Sequence, residues 1–160
     1  MTLGQMSEII VLGLMPVLAV KFSRKTLLTV GLTAYALRFL LFSNVGTITG
    51  VATDVQLGMV IGGILLHGLC FGCFIFVAFM IVDENTTDSV WASAQNLFNL
   101  VIVGIGVIVG SKIAGRVAEW ATSDAGTLED TRLFSVPMWA SVAVFSLLLL
   151  IYPSGRREVT

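Results

Sequence analysis

Apolar residues are gathered into five long runs, with the polar residues collected in the gaps between them. The runs are Leu3–Val20, Thr26–Ser43, Gln56–Val82, Trp91–Val117 and Phe134–Tyr152. A helix crosses the hydrocarbon of a bilayer with about 20 mainly apolar residues, so each run predicts one spanning helix. The third and fourth runs exceed that length by about two turns, which predicts tilt or extension past the hydrocarbon. Helix breakers fall in the gaps. Lys21–Lys25 ends the first span, and Asn44 to Asp54, with Gly46 and Gly50, ends the second. Asp83–Ser89 separates the third from the fourth, and Glu119–Arg132 the fourth from the fifth. Pro16 stands one turn before the end of the first span, where a kink is expected.

Composition agrees with this pattern. The chain has 160 residues, 56% apolar and only 12% charged. A soluble domain carries about twice that charge. A mean hydropathy of +0.96 excludes a disordered chain and argues against a soluble globular one. Nine basic against ten acidic residues leave no basic excess, so no nucleic-acid partner is expected. Two cysteines cannot build a disulfide framework, and sixteen glycines suit membrane helices. The predicted class is an all-α, polytopic helical membrane protein, residues 1–160 forming one membrane region whose solvent is the lipid bilayer.

Lys and Arg set orientation. The first turn holds Lys21, Arg24 and Lys25 with no acid, and the tail holds Arg156 and Arg157. Five spans put both on one side, predicting an outer amino terminus and a cytoplasmic carboxy terminus. No signal peptide is expected, because the first run lacks a basic leader and Glu8 interrupts it. An odd number of spans with so abrupt a start suggests one part of something larger, whose missing half, or another membrane subunit, is the expected partner.

Ionisable residues inside spans are costly and mark functional sites. Glu8, Arg38 and His67 lie well inside. Glu8 and Arg38 each sit about 7–8 Å below the outer boundary at a rise of about 1.5 Å per residue. With the first two helices as antiparallel neighbours, the two charges share a depth and can pair. That pair has two readings: a structural ion pair, or a proton-coupling carboxylate with Arg38 as its partner. Gln5 shares the face of Glu8 and offers both donor and acceptor, either to a sugar or base edge or to another helix. His67, Phe71 and Phe74 form one stripe on the third span. Stripes of this kind serve packing or, with an imidazole at mid-span, the stacking and hydrogen bonding of a ligand.

Cys70 and Cys73 form a CxxC motif, but in an apolar helix without a second pair they read as small buried residues. Gly58/Gly62, Gly68/Gly72 and Gly106/Gly110/Ala114 repeat at helical spacing and predict close helix contacts. No nucleophile elbow, zinc-protease helix, phosphate loop or dinucleotide fingerprint occurs, so neither an enzyme nor a metal or cofactor is expected.

In this setting one ordered set of residues resembles a family. Gly4-Gln5-Met6-Ser7-Glu8, the basic turn and Ala36-Leu37-Arg38-Phe39 are followed by His67-Gly68 to Phe71, Val82-Asp83-Glu84, Ala92-Ser93-Ala94-Gln95 and Gly110 to Gly115. Together they resemble the nucleoside:proton symporters, the NupG/XapB-like branch of the major facilitator superfamily, over the last five of twelve helices. The resemblance implies that Gln5 and Glu8 line a central cavity and that His67 (where a Tyr is familiar) and Phe71 contact the nucleoside. It implies two helical bundles rocking about a midplane site in an inner membrane. The chain departs from the pattern at Gly72, where an acidic residue is expected, and at Trp91, where an Arg is expected.

The sequence reading is therefore the carboxy-terminal part of a nucleoside transporter driven by proton symport. Gln5, His67 and Phe71 are its substrate contacts, and Glu8 and Arg38 its proton-coupling residues. A facilitator of another small solute, such as a sugar, and a non-transporting membrane fragment or assembly partner are the alternatives.

Overall fold

The computed structural model describes residues 2–45, 53–123 and 126–152. The breakers Gly46 and Gly50 and the basic pair Arg156 and Arg157 lie outside them. Five helical rods occupy the described residues. Helix α1 is Thr2–Lys21 and α2 is Arg24–Val45. Helix α3 comprises Thr53–Phe71, a π turn at Gly72–Phe76 and Val77–Glu84. Helix α4 comprises Trp91–Asn99, a longer π segment at Leu100–Gly106 and Val107–Ala121. Helix α5 is Asp130–Ile151.

Most rods extend slightly beyond the apolar runs, several of them to polar residues such as Lys21, Arg24, Glu84 and Asp130. Helix α5 begins four residues before Phe134, with Asp130 in its first turn, where the positive end of the helix dipole favours a carboxylate. Helix α4 continues through Glu119 to Ala121. Hydropathy marks where hydrocarbon begins, whereas backbone hydrogen bonding continues until a cap or turn stops it. Ser23 caps α2: its hydroxyl oxygen accepts the Thr26 N–H at 3.1 Å. Polar side chains within the helices satisfy themselves on nearby carbonyls. Thr29 donates to Lys25 O and Thr33 to Thr29 O, as a lipid environment demands. Helix α1 runs through Pro16, and α5 through Pro137.

Residues 1–77 and 130–160 belong to one compact unit. Within it, α3 packs on both α1 and α2, and α2 packs on α5, while α1 and α2 scarcely touch. The order across the unit is thus α1, α3, α2, α5. Helices α1 and α2, consecutive in the chain, are separated by α3, which corrects the expectation that they are neighbours. The reason lies in the glycines of α3. A Cβ at Gly68 would lie 2.5 Å from the Ser7 backbone, and one at Gly72 would lie 2.6 Å from Val11 Cγ1. On the other side, a Cβ at Gly63 would lie 2.4 Å from the Phe42 ring. From α2, Gly31 meets Cys73 and the Phe74 backbone at 3.2 Å. These small residues let two backbones approach α3 closely from opposite flanks.

The α2–α5 seam is antiparallel. Lys25 Nζ donates to Tyr152 O at 2.7 Å at one end, and Thr131 donates to Ser43 O at 2.9 Å at the other. Between them the Phe134 ring lies 6.4 Å from Phe39 and 5.4 Å from Phe42, centroid to centroid. Met15, Val77, Cys70 and Cys73 are fully buried. Most large apolar side chains are exposed instead, Val20 at 88% and Leu150 at 82%. An inside-out distribution of this kind suits a lipid solvent.

Residues 78–129 form the second unit. Its turn is tied by the Trp91 indole N–H, which donates to the Asp83 carboxylate, and by Gln95 Nε2, which donates to Phe79 O at 3.4 Å. Phe79 and Phe98 meet edge to face at 5.0 Å. After α4 the chain turns through a single antiparallel bridge between Thr122 and Leu128. Gly126 there has φ +78°, a conformation that favours glycine.

Candidate functional site

The polar residues of the first unit converge on His67. Arg38, on the face of α2 that packs against α3, places Nη1 2.9 Å from His67 Nδ1. A guanidinium can only donate, so Nδ1 is the acceptor and the ring is the neutral tautomer with its proton on Nε2. The cation is further held by two aromatic faces of its own helix, at 5.9 Å from the Phe39 centroid and 5.3 Å from that of Phe42. Both distances lie within the range of a cation–π contact. The Arg38 Nε is buried and has no hydrogen-bond partner among the described residues.

Helix α1 closes the other side. Its backbone approaches the ring at Gly4, where a Cβ would lie 3.6 Å from His67 Cδ2. One turn on, the Ser7 hydroxyl donates to Leu65 O at 2.8 Å and accepts the Gly68 N–H at 3.0 Å. This bridge fixes the height of α1 against α3 and so the position of Glu8 relative to His67. Glu8 is half-buried, and Glu8 and Arg38 are the two charges that act on the imidazole. Phe71, one turn along α3, stands 6.3 Å from the His67 ring and inclined by 50°.

The sequence-predicted residues thus divide. His67, Phe71 and Arg38 come together, and Glu8 lies close by on α1. Gln5 is exposed and makes no hydrogen bond among the described residues. Arg38 and Glu8 form no ion pair among the described residues, and Arg38 bonds to His67 instead. A shared depth fixed their height, but α3 stands between the two helices. Phe74 does not extend the stripe: its ring makes no contact with Phe71 among the described residues. The π turn starts directly after Phe71, and its i→i+5 bonding moves the residues beyond it out of the α-helical register. Sequence reasoning missed Ser7 and Gly4, although their place on the face that includes Val11 is a readable signal.

Comparison with known proteins bears on this arrangement. The model of the nucleoside H+ symporter family matches residues 1–156. The chain belongs to that family. It is 32% identical to Escherichia coli (strain K12) YegT, a candidate nucleoside transporter by its name, over 74% of this chain and 27% of that protein. It is 25% identical to the nucleoside permease NupG of the same organism, over 100% of this chain and 38% of the permease. It is also 25% identical to the E. coli xanthosine permease, over 78% of this chain and 28% of the permease. A crystal structure of the nucleoside transporter NupG superposes with a TM-score of 0.83 at 22% identity, covering 96% of this chain and 36% of that one. A point mutant of NupG gives a TM-score of 0.84. The superposition shows that this chain shares the all-α fold of the matched part of that structure, with five helices long and apolar enough to cross a membrane among the described residues. The chain spans about a quarter to two fifths of the length of these curated relatives.

Proposed function

We propose that these helices are the carboxy-terminal part of a nucleoside transporter that works by proton symport, resembling the last five of its twelve helices. The match to the nucleoside H+ symporter family along nearly the whole chain carries this reading. Nucleoside and proton are the cargo, and the rest of the cavity wall comes from the amino-terminal half of the transporter. The protein resides in the inner membrane, with the amino end of α1 outside and the carboxy end of α5 in the cytoplasm.

Each residue has a role that its chemistry suits. Phe71 offers an apolar face for a nucleobase, and base–aromatic stacking contributes about 1–3 kcal/mol in nucleic-acid sites. His67 and Gln5 supply hydrogen bonds to base or ribose. Glu8 and Arg38 supply the charges through which a proton gradient is coupled to the cargo.

The deciding experiment is uptake of labelled uridine by the transporter that contains these helices. Excess nucleosides should compete and sugars should not; competition by sugars alone would favour the small-solute facilitator. Glu8→Gln should abolish accumulation driven by a pH gradient while nucleoside exchange continues. Accumulation that persists at the wild-type level in Glu8→Gln would remove Glu8 from proton coupling.

A further inference from the structure

The bond between Arg38 and His67 occupies the one basic nitrogen of the one histidine in the chain. In the neutral ring only Nδ1 can take a proton, because Nε2 already holds one. A proton on Nδ1 would set two N–H donors, both on cations, facing each other across 2.9 Å. Protonation and the Arg38 contact therefore exclude one another.

We propose that the proton-binding atom of this site is His67 Nδ1, and that the proton displaces the Arg38 guanidinium when it binds. The proposal rests on the reading of the chain as part of a proton symporter. It adds the seat of the proton and the contact that gates it.

Three features of the surroundings favour such an exchange. Among the described residues Arg38 is held by a single hydrogen bond and two ring faces, and its buried Nε is unpartnered, so leaving His67 forfeits one bond only. On α1, which packs against α3, the half-buried Glu8 supplies the counter-charge for an imidazolium. From α2, Tyr35 lies one turn before Arg38, and on α3 itself Cys70 lies one turn after His67. Neither is charged at neutral pH. Proton arrival thus exchanges an Arg38–His67 contact between α2 and α3 for a His67–Glu8 attraction between α3 and α1. Helix α3 packs on both partners and so stands where the exchange is felt.

The single histidine makes the test direct. The full chain, with 15N-labelled histidine, is placed in lipid nanodiscs without a histidine tag, and its imidazole nitrogens are followed by NMR against pH. At neutral pH the proton should be on Nε2, with Nδ1 bare. Arg38→Gln should move the midpoint of ring protonation up by about one pH unit or more, and Glu8→Gln should move it down. A wild-type ring carrying its proton on Nδ1 overturns the proposal, and this arm needs no variant. An equal midpoint in wild type and Arg38→Gln also overturns it. In the intact transporter, His67→Gln should flatten the pH profile of nucleoside accumulation; an unchanged profile overturns the coupling. If the wild-type transporter accumulates no nucleoside at any pH, the functional reading fails, while the NMR arm still decides where the proton binds.

Discussion

At Ser7 one hydroxyl carries both a donated and an accepted bond across the α1–α3 seam. Hydrogen bonds between membrane helices average about 0.6 kcal/mol and reach about 1.7. Ser7→Ala should therefore lower stability within roughly that range. Gly68→Ala should do more damage, because the added methyl meets the Ser7 backbone at 2.5 Å, which no rotamer change relieves. Overpacking of that kind costs about 1–3 kcal/mol. Unfolding in mixed micelles, titrated with a denaturing detergent, ranks the two variants. A Gly68→Ala protein as stable as Ser7→Ala would contradict the close approach. At this scale the sequence shows which residues are costly to bury but not whom they meet. Glu8, Arg38 and His67 stand out from their apolar surroundings. The Arg38–His67 bond does not, because depth along a helix says nothing of the direction in which a side chain leaves it.

Helix α3 is the element on which the first unit is built, and its glycines differ in consequence. Gly72 and Gly68 face α1, Gly63 faces the Phe42 ring, and Gly58 meets nothing within 4 Å. Gly63→Ala should cost less than Gly68→Ala, since its clash is with the edge of a side chain that can shift. Gly58→Ala should be neutral or slightly stabilising, because alanine is the better helix former by about 1 kcal/mol. The same micelle titration, read as a three-member series, checks the order, and a severe loss at Gly58 would break it. The four-residue glycine spacing was a readable sign of close packing at Gly68 and Gly72. The two π segments were not readable. Their apolar residues continue the run without interruption, and an extra residue in a turn leaves no mark in composition. The length of the third and fourth runs, which predicts tilt or extension past the hydrocarbon, is the nearest signal.

For the whole molecule, five spans and their approximate limits were legible from hydropathy alone, because a bilayer makes length and apolarity coincide. The order in which they pack was not, since consecutive helices are only usually neighbours. Orientation is open to a direct test. Cys70 and Cys73 are buried thiols, so a cysteine introduced at exposed Ser23 is labelled against a silent background. An impermeant thiol reagent should modify Ser23→Cys in inside-out vesicles and not in right-side-out ones. The reverse pattern would invert the proposed topology. Gly110 on α4, with nothing within 4 Å among the described residues, provides a second probe. In the same micelle titration Gly110→Ala, like Gly58→Ala, should be neutral or stabilising by up to about 1 kcal/mol, and a severe loss would show that this face of α4 is packed.

The separation of α1 from α2 by α3 also has a consequence in time. Among these five helices synthesis delivers α1 before α2 and α2 before α3, yet within the unit the surface on which α1 docks belongs to α3. When α2 emerges it offers α1 almost nothing to hold, so of these five helices the one on which α1 docks arrives two helices later. Within this unit the hairpin of α2 and α3 is the first consecutive pair able to form, and α1 joins it from the side with Ser7 meeting the backbone at Gly68. A ribosome stalled before residue 68 emerges leaves α1 without its berth, whatever its own sequence.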